Sequence, residues 1–261
     1  MRVKNIFIRK FFFLPLLLAI ISCSNEKSWK FSDGVEYPEG TKLSRAEDGV
    51  ILSNGTLIVA DQRYGLSKID LSGNVTPFGG FESLDYEHNP PKVESGPNGV
   101  HLTPDKKHII TADVFNGKIY KTSIENSSTE IIYAHKYGAN TAREDSTGSL
   151  WFTQSTENQN EERLFGALDK AIPDGALYRL PISEEGTFSK PELIVENLYF
   201  ANGFYIDEKR NKLYLSEMMK NRVLAFDLDI STGSLSNQTT LAIMPTPDNL
   251  SLIHISEPTR L

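Results

Sequence analysis

Cysteine is almost absent from this chain, since Cys23 is the only one among 261 residues. A single cysteine excludes an intrachain disulfide framework. The sequence also has no glycine-rich phosphate loop, no Gly-x-Ser-x-Gly elbow and no His-Glu-x-x-His pattern. A serine triad built on such an elbow and a zinc-protease site therefore have no support. After the N-terminus, no segment with a helical hydrophobic period competes with the strand pattern described below.

Positive charge is scarce, with 27 Lys and Arg against 34 Asp and Glu and a formal net charge of −7. Four of the positive charges lie within the first ten residues, and loss of residues 1–22 would take the charge to about −11. An acidic exported domain argues against a nucleic-acid partner. The remainder, roughly 230 residues, is long enough for one sizeable core.

The N-terminus contains the longest apolar run, residues 11–21, interrupted only by Pro15 and preceded by basic residues. This run is too short to span a bilayer and has the flanks of a signal peptide. It ends in "IISC", which resembles a bacterial lipobox with Cys23 as the lipidated residue. The sequence thus predicts a lipoprotein signal peptide over 1–22. The alternative is an ordinary secretory signal with an incidental cysteine.

Residues 23–45 then read as the lipidated cysteine, a short polar tether and a closing segment. Several acyl chains would anchor the protein stably, whereas one chain binds a membrane only marginally. The predicted location is the bacterial cell envelope, as a periplasmic or outer-membrane lipoprotein. The predicted contact with the membrane is through the lipid anchor only.

Four similar stretches recur along the rest of the chain. They are "SNGTLIVADQRYGLSKIDLSG" from Ser53, "PDKKHIITADVFNGKIYKTSI" from Pro104, "STGSLWFTQS…GALYRLPIS" from Ser146 and "EKRNKLYLSEMMKNRVLAFDLD" from Glu208. Each contains two strand patterns separated by turns, with a further short strand upstream and another downstream. Four strands per unit joined by turns predict the antiparallel blade of a β-propeller. A β-sandwich is the alternative, although sandwiches need not repeat internally.

The innermost strands are predicted to start near residues 49, 99, 141 and 203, with a fifth start near 249. The mean spacing of about 50 residues is the size of a blade. The sequence therefore predicts an all-β, six-bladed β-propeller architecture. Residues 46–249 would supply an incomplete version, with about four blades and the start of the fifth.

The final stretch, "LSLIHISEPTR", reads codon for codon like the translation of the transposon-end adapter used in sequencing libraries. We expect residues 250–261 to be an adapter-derived, non-native tail, and about two blades to be missing. In that case His254 and Glu257 carry no function. The alternative is a genuine divergent tail.

Polar residues stand immediately before the predicted inner strands, where the loops of a propeller converge on one mouth of the central channel. Two carboxylates and several amide oxygens gathered there favour Ca²⁺ over a soft metal. Each residue also has a simpler interpretation, because Asn before Gly is common in turns and a lone Glu can be a solvated edge acid. The set comprises Glu47, Asn98, Asn140, Asn202, Asp248 and Asn249.

Several of these motifs together resemble the SMP-30/gluconolactonase/LRE-like family, within the larger group of paraoxonase-type lactonases and strictosidine synthase-like proteins. They are "AEDGVILSNGTLIVAD", "NTAREDSTGSLWFT" with "GALYRL", "ANGFYIDEKRNKLYLSE" and "PDN". The resemblance extends over residues 45–249. It implies that a divalent cation, Ca²⁺ or another, is bound by Glu47, Asn140, Asn202 and Asp248, with Asn249 as a further ligand.

The chain departs from the family pattern at two places. Asn98 stands where paraoxonase-type members carry a His in a His-Gly motif, so a His-based proton relay is not supported. His101 on the same strand could face the channel, or could simply be packed or solvated. The Arg-x-Asn segment of sugar lactonases reads Gly138-Ala139-Asn140 here, which argues against an aldonolactone substrate.

A long polar insertion, residues 156–174, falls between the second and third strands of the third unit. In a propeller this loop opens on the same mouth as the predicted cation site. It is either a lid or selectivity loop over a substrate, or a surface loop.

The resemblance implies a calcium-dependent hydrolase of lactones or related esters, with a small-molecule substrate. Asp248 would act as the general base, and Asn98 would orient the substrate. One alternative is a non-catalytic, surface-anchored propeller that binds a ligand or a protein partner through the same channel. A strictosidine synthase-like lyase is another, and it would need a carboxylate from a later blade.

Overall fold

A computed structural model describes residues 40, 43–158 and 166–250. The chain divides into two compact units, Met1–Val35 and Glu36–Leu261, and every described residue belongs to the second.

Two of the sequence predictions fall outside the described residues. They are the lipidation of Cys23 with its signal peptide, and the non-native origin of the tail, of which only Leu250 is described. Both stay predictions. Among the described residues, no helix is long and apolar enough to cross a lipid bilayer.

The described residues form four antiparallel sheets, and each sheet contains four strands paired in chain order. Helix is limited to single turns such as Phe81–Leu84. This architecture confirms the predicted all-β, propeller-like fold. The strands are β1 Gly49–Ile51, β2 Leu57–Asp61, β3 Gly65–Ile69, β4 Val75–Phe78; β5 Pro97–Leu102, β6 His108–Asp113, β7 Lys118–Ser123, β8 Thr129–Ala134; β9 Thr141–Glu144, β10 Leu150–Gln154, β11 Gly175–Leu180, β12 Glu192–Leu198; β13 Ala201–Asp207, β14 Lys212–Glu217, β15 Arg222–Asp229, β16 Ser234–Ile243.

Both faces of β6 and β10, the second strands of the two middle sheets, are buried because a neighbouring sheet covers each side. In β6, Ile109 packs toward the first sheet and Ile110 toward the third. In β10, Trp151 packs toward the fourth sheet and Phe152 toward the second. Successive side chains of a strand point to opposite faces, so an unbroken apolar run fits a strand buried on both sides.

Three hydrophobic cores fill the spaces between successive sheets. The first joins sheets one and two around Phe81 and Tyr120, whose rings lie 5.0 Å apart. The second is centred on Phe152, which stacks on Tyr178 at 5.0 Å. The third surrounds Trp151, which is fully buried. Sheet packing of this kind places the first strands β1, β5, β9 and β13 side by side around the channel.

The first strands begin earlier than the sequence pattern predicts in two cases. β5 starts at Pro97 and β13 at Ala201, against predicted starts at 99 and 203. Each carries a β-bulge within its first residues, at the Asn-Gly step. A bulge adds a residue to one strand and re-aims its side chain, so the Asn side chains are part of the strands.

The chain reverses at the ends of the second strands around buried acids. Asp113 accepts hydrogen bonds from the N–H groups of Gly96, Phe115 and Asn116. Glu217 accepts one from Tyr199 N–H at 3.0 Å. These acids fix the loops at the end of the propeller where the first strands begin.

The predicted fifth inner strand is not formed within the described residues. Residues 244–250 are irregular, although Leu250 is buried against Tyr214, Val223 and Ala225 of the fourth sheet. The described part of the tail therefore packs on the propeller.

Candidate functional site

The candidate site lies at the mouth, defined as the end of the propeller where β1, β5, β9 and β13 begin. All six predicted site residues lie there, and a continuous series of contacts connects them. The structure thus gathers side chains that are distant in sequence, as rotational repetition of a blade requires.

Glu47 and Asn98 are bridged by a third side chain, Arg45. Arg45 Nη2 lies 3.3 Å from Glu47 Oε1 and donates a hydrogen bond to Asn98 Oδ1 at 3.4 Å. The Glu47 side chain is 36% exposed and Asn98 is buried. Glu47 is therefore accessible from solvent while Asn98 lies deeper at the mouth.

Asn98 also connects to Asn140 on the next sheet. Asn98 Nδ2 donates to the backbone oxygen of Asn140 at 3.2 Å, and Gly99 N–H donates to the same oxygen at 2.9 Å. The N–H of Asn140 donates to Thr153 O at 2.8 Å. Asn140 is thus held firmly by its backbone, which fixes the position of its side chain.

Asp248 interacts both with Glu47, which precedes the first sheet, and with Asn202 of the fourth sheet. Burial is the main cause that raises its pKa, and repulsion from the Glu47 carboxylate raises it further. Hydrogen bonds from the Asn202 side chain and from Asn249 N–H offset part of the increase. The two carboxylates are therefore close enough to repel each other, which is the electrostatic condition that a bound cation relieves.

Asn249 lies over β9. Thr141 Oγ1 donates to Asn249 Oδ1 at 3.4 Å and to Asn140 Oδ1 at 3.1 Å. A Cβ built on Gly203 would stand 2.6 Å from Asn249 Cα, nearer than real Cβ contacts allow. Glycine is required at this position because the 244–250 segment passes directly against β13.

The Asn-Gly steps are not turns. Asn98, Asn140 and Asn202 all have negative φ angles and lie at or within first strands. Gly99 shows the same close approach as Gly203, since its Cβ would meet Thr141 Cα at 2.8 Å. The interpretation of these asparagines as left-handed turn residues is therefore wrong. Glycine follows Asn98 and Asn202 because the neighbouring backbone approaches closely there.

The donor set fits a hard cation. Asn202 is buried, and its Oδ1 has no hydrogen-bond partner. A buried, unpartnered amide oxygen beside two carboxylates is a group that Ca²⁺ would satisfy. The described residues contain no cluster of three or more His, Cys, Asp or Glu arranged to hold a metal ion. The candidate set is accordingly a mixed one, with two carboxylates and amide oxygens.

Asp48 is a site residue that sequence reasoning missed. It accepts hydrogen bonds from Gly49 N–H at 2.8 Å and Val100 N–H at 3.0 Å. Burial raises its pKa, the two hydrogen bonds and Arg143 lower it, and Asp248 raises it again. The signal was present in the acidic pair before Gly49, but the resemblance directed attention to Glu47 alone.

Arg143 provides the buried positive charge below the site. Its Nε donates to Phe204 O at 2.9 Å and its Nη2 to Leu250 O at 3.2 Å. Burial lowers the pKa of Arg143 to about 10, while attraction to Asp48 opposes that change. At neutral pH the guanidinium remains charged and balances Asp48.

His101 is packed, which was the simpler of its two interpretations. It is 7% exposed, and its Nε2 lies 3.7 Å from Asp48 Oδ2 without a hydrogen-bond partner. Burial and the nearby Arg143 hold its pKa well below the usual value. The ring is therefore neutral.

An apolar group, here called the mouth cluster, lies beside the polar site. Two contacts connect it to the site: Arg45 Cζ lies 4.9 Å from the Phe115 ring centre, and Asn202 Nδ2 lies 3.5 Å from Met218 Sδ. The polar site is consequently bordered by apolar side chains at Arg45 and Asn202. The cluster comprises Val114, Phe115, Ala167 and Phe200, with Leu168, Met218 and Met219 partly buried against them.

The insertion over 156–174 supplies part of this cluster through Ala167 and Leu168. Its two ends are tied together, since Thr156 Oγ1 donates to Asp174 Oδ2 at 2.8 Å and Gln154 Nε2 donates to Asp174 O at 2.7 Å. The described part of the insertion thus lies against the mouth.

Family comparison agrees with this architecture. Residues 134–252 match the SMP-30/Gluconolactonase/LRE-like region. The predicted family resemblance is confirmed.

Three proteins illustrate the extent of the similarity. A gluconolactonase from Xanthomonas campestris has 17% identity, covering 79% of this chain and 66% of its own, with a TM-score of 0.56. The calcium-binding protein regucalcin from Agrobacterium tumefaciens has 15% identity, covering 77% and 60%, with a TM-score of 0.51. The Cell growth-regulated gene 1 protein of Candida albicans is 23% identical over 222 residues, covering 77% of this chain and 61% of its own.

At these identities the likeness of the solved structures concerns the fold. The chain spans 61% of the length of the curated relative and 66% of the length of the gluconolactonase.

Proposed function

We propose that this protein is a divalent-cation-dependent hydrolase of lactones or related esters, with Ca²⁺ as the preferred ion. The observation that carries the proposal is the convergence of Glu47, Asn202 and Asp248 at one mouth, with the buried Asn202 Oδ1 left without a partner. Two structural relatives, one a gluconolactonase and the other a calcium-binding protein, support the same function.

The cation would be held by Glu47, Asn140, Asn202 and Asp248, with Asn249 as a further ligand. A bound Ca²⁺ polarises a carbonyl oxygen and stabilises negative charge that develops on it. Asp248 would accept a proton from the attacking water, and its exposure at the edge of the set supports this role. Asn98 is buried beside Glu47 and would orient the substrate through its amide.

The substrate would carry an apolar substituent. The mouth cluster places Phe115 and Met218 in contact with Arg45 and Asn202, so a group extending outward from the polar site meets apolar side chains. Together with the missing arginine before Asn140, this favours alkyl- or aryl-substituted lactones over sugar lactones.

The proposed location is the cell envelope, with the protein held by lipid on Cys23 and without a nucleic-acid partner. Metabolic labelling with a tagged fatty acid tests it. We expect label on the wild type and none on Cys23→Ser. Label retained on Cys23→Ser, or a soluble wild-type protein in fractionated cells, would refute the lipoprotein assignment.

Hydrolysis is tested with protein expressed from its genomic reading frame, on alkyl lactones, sugar lactones and aryl esters. We expect turnover of the alkyl lactones that EDTA abolishes and added Ca²⁺ restores. Glu47→Gln should lower kcat by about 100-fold or more, and Glu130→Gln on the exposed strand β8 is the matched control. Ca²⁺-dependent ligand binding without turnover would instead identify a non-catalytic binding propeller.

A further inference from the structure

Arg45 occupies an unusual place at the mouth. Its φ is +48°, a backbone conformation that residues other than Gly, Asn and Asp rarely adopt. Such conformations persist where surrounding contacts hold them. Here the side chain is only 16% exposed and lies inward against the candidate site.

The Arg45 guanidinium contacts the site through several atoms at once. Nη2 lies 3.3 Å from Glu47 Oε1 and 3.4 Å from Asn98 Oδ1, and Nη1 donates to Pro97 O at 3.4 Å. The guanidinium carbon Cζ lies over the Phe115 ring, 4.9 Å from its centre. The Arg45 guanidinium therefore contacts both the predicted cation ligand Glu47 and the predicted substrate-orienting amide of Asn98.

The charges at the mouth give this contact a consequence. Glu47 and Asp248 repel each other, whereas Asp48 below them is balanced by the buried Arg143. Arg45 supplies the positive charge that Glu47 needs when no ion is bound. A divalent ion at Glu47 would stand within a few ångströms of the guanidinium, where like charges repel strongly.

We propose that Arg45 is an internal cation that competes with the divalent ion for Glu47. Binding of the ion breaks the Arg45–Glu47 pair and releases the guanidinium toward the mouth cluster. This inference rests on the proposed cation site and adds a residue that sets its affinity.

Calcium titration calorimetry on the full chain measures the competition directly. Arg45→Gln should raise the affinity for Ca²⁺ by about tenfold or more, because it removes one like charge beside the site. Arg63→Gln is the matched control, since Arg63 Nη2 lies 2.7 Å from Asp61 Oδ2 and its guanidinium lies over Tyr64, outside the candidate ligand set. It should change the affinity less than twofold.

A double-mutant cycle on Arg45→Gln and Glu47→Gln supplies a readout that needs no metal. Urea unfolding in EDTA should show a coupling of about two- to fivefold in the unfolding constant, typical of a partly exposed ion pair. The coupling should disappear with saturating Ca²⁺, because the ion has separated the pair.

The outcomes separate this inference from the proposed function. Ca²⁺ binding with unchanged or weaker affinity in Arg45→Gln overturns the competition and leaves the cation site standing. A coupling that survives saturating Ca²⁺ also overturns it. Failure of wild type and Arg45→Gln alike to bind Ca²⁺ removes the site, and the competition falls with it even if the pair is coupled in EDTA.

Discussion

The two ends of the propeller use the same residue types in different ways. At the end opposite the mouth, Asn54, Asp105 and Asp145 each accept a hydrogen bond from an N–H two residues further on. At the mouth, Asn98 and Asn202 reach groups of other loops or sheets, and Asn202 Oδ1 finds no partner. The local hydrogen bonds of Asn54, Asp105 and Asp145 stabilise turns, whereas the buried, unpartnered Asn202 Oδ1 is available to a ligand.

This difference separates polar residues that stabilise the fold from polar residues that are available to a ligand. Asp145 serves Thr147, Ser149 and the buried indole of Trp151 within one turn. The Glu47 and Asp248 carboxylates, by contrast, repel each other. We therefore expect loss of a turn acid at the opposite end to lower stability and loss of the unpartnered Asn202 amide at the mouth to lower binding. The experiments at Asp145 and Asn202 test this contrast, and those at Gly203 and His135 measure how close packing and burial near the mouth also affect stability.

The largest effect is expected at Asp145. Asp145→Ala leaves the Trp151 Nε1–H, now 2.8 Å from Asp145 Oδ2, without an acceptor inside the core. We expect the free energy of unfolding to fall by about 3 kcal/mol. Urea unfolding measures it. A loss smaller than about 0.5 kcal/mol would show that the turns at this end are not the stabilising feature.

A second effect is expected where β13 meets the 244–250 segment. Gly203→Ala puts a Cβ 2.6 Å from Asn249 Cα, so the backbone must shift, at a cost of about 2 kcal/mol. Gly166→Ala is the control, because a Cβ there meets no atom within 4 Å. Equal unfolding midpoints for the two variants would contradict the close approach.

Substitution of Asn202 should affect Ca²⁺ binding more than the stability of the protein without Ca²⁺. In EDTA, Asn202→Leu should change the free energy of unfolding by less than about 1 kcal/mol, because Oδ1 has no partner to lose and only the side-chain hydrogen bonds to Met218 Sδ and Asp248 are removed. With Ca²⁺ at about 100 times its Kd, the wild type should gain about 2.7 kcal/mol and the variant much less. Thermal unfolding with and without Ca²⁺ compares them. Equal gains would remove Asn202 from the ligand set.

The smallest effect concerns His135, whose ring contacts Phe152 and Tyr178 near the mouth. Burial lowers its pKa, and the hydrogen bond with Gln154 offsets this in part. The folded state therefore binds the proton less readily than the unfolded state, so its contribution to stability is present above about pH 6.5 and is lost as pH falls. His135→Phe should flatten the decline of stability between about pH 6.5 and 5. An unchanged slope would contradict it.

Much of the fold could be predicted because repetition exposes it. The short apolar runs in "HIITAD" and "LWFTQ" predict strands buried on both faces, and the turn residues predict their ends. The starts of β5 and β13 were less predictable, since the bulges at Asn98 and Asn202 depend on pairing with β6 and β14.

The site was predictable where its residues share a position in the repeat, as Asn140 and Asn202 do. Arg45 and Arg143 escaped because their roles depend on contacts between sheets, and nothing in the local sequence records them. Asp48 was visible in the acidic pair before Gly49, but its role depends on a hydrogen bond from Val100 N–H of the next sheet. Arg45 contacts Glu47 from a backbone with a positive φ angle, and no sequence pattern specifies that angle.

The long separation of Glu47 and Asp248 along the chain has a consequence for biosynthesis. About 200 residues must be translated between the first and the last carboxylate, which takes roughly ten seconds or more at ordinary elongation rates. A nascent chain carries only isolated oxygens during that interval. In the proposed site, chelation of a divalent ion would begin only when the fourth sheet has docked, so the emerging polypeptide would not capture ions before it is folded.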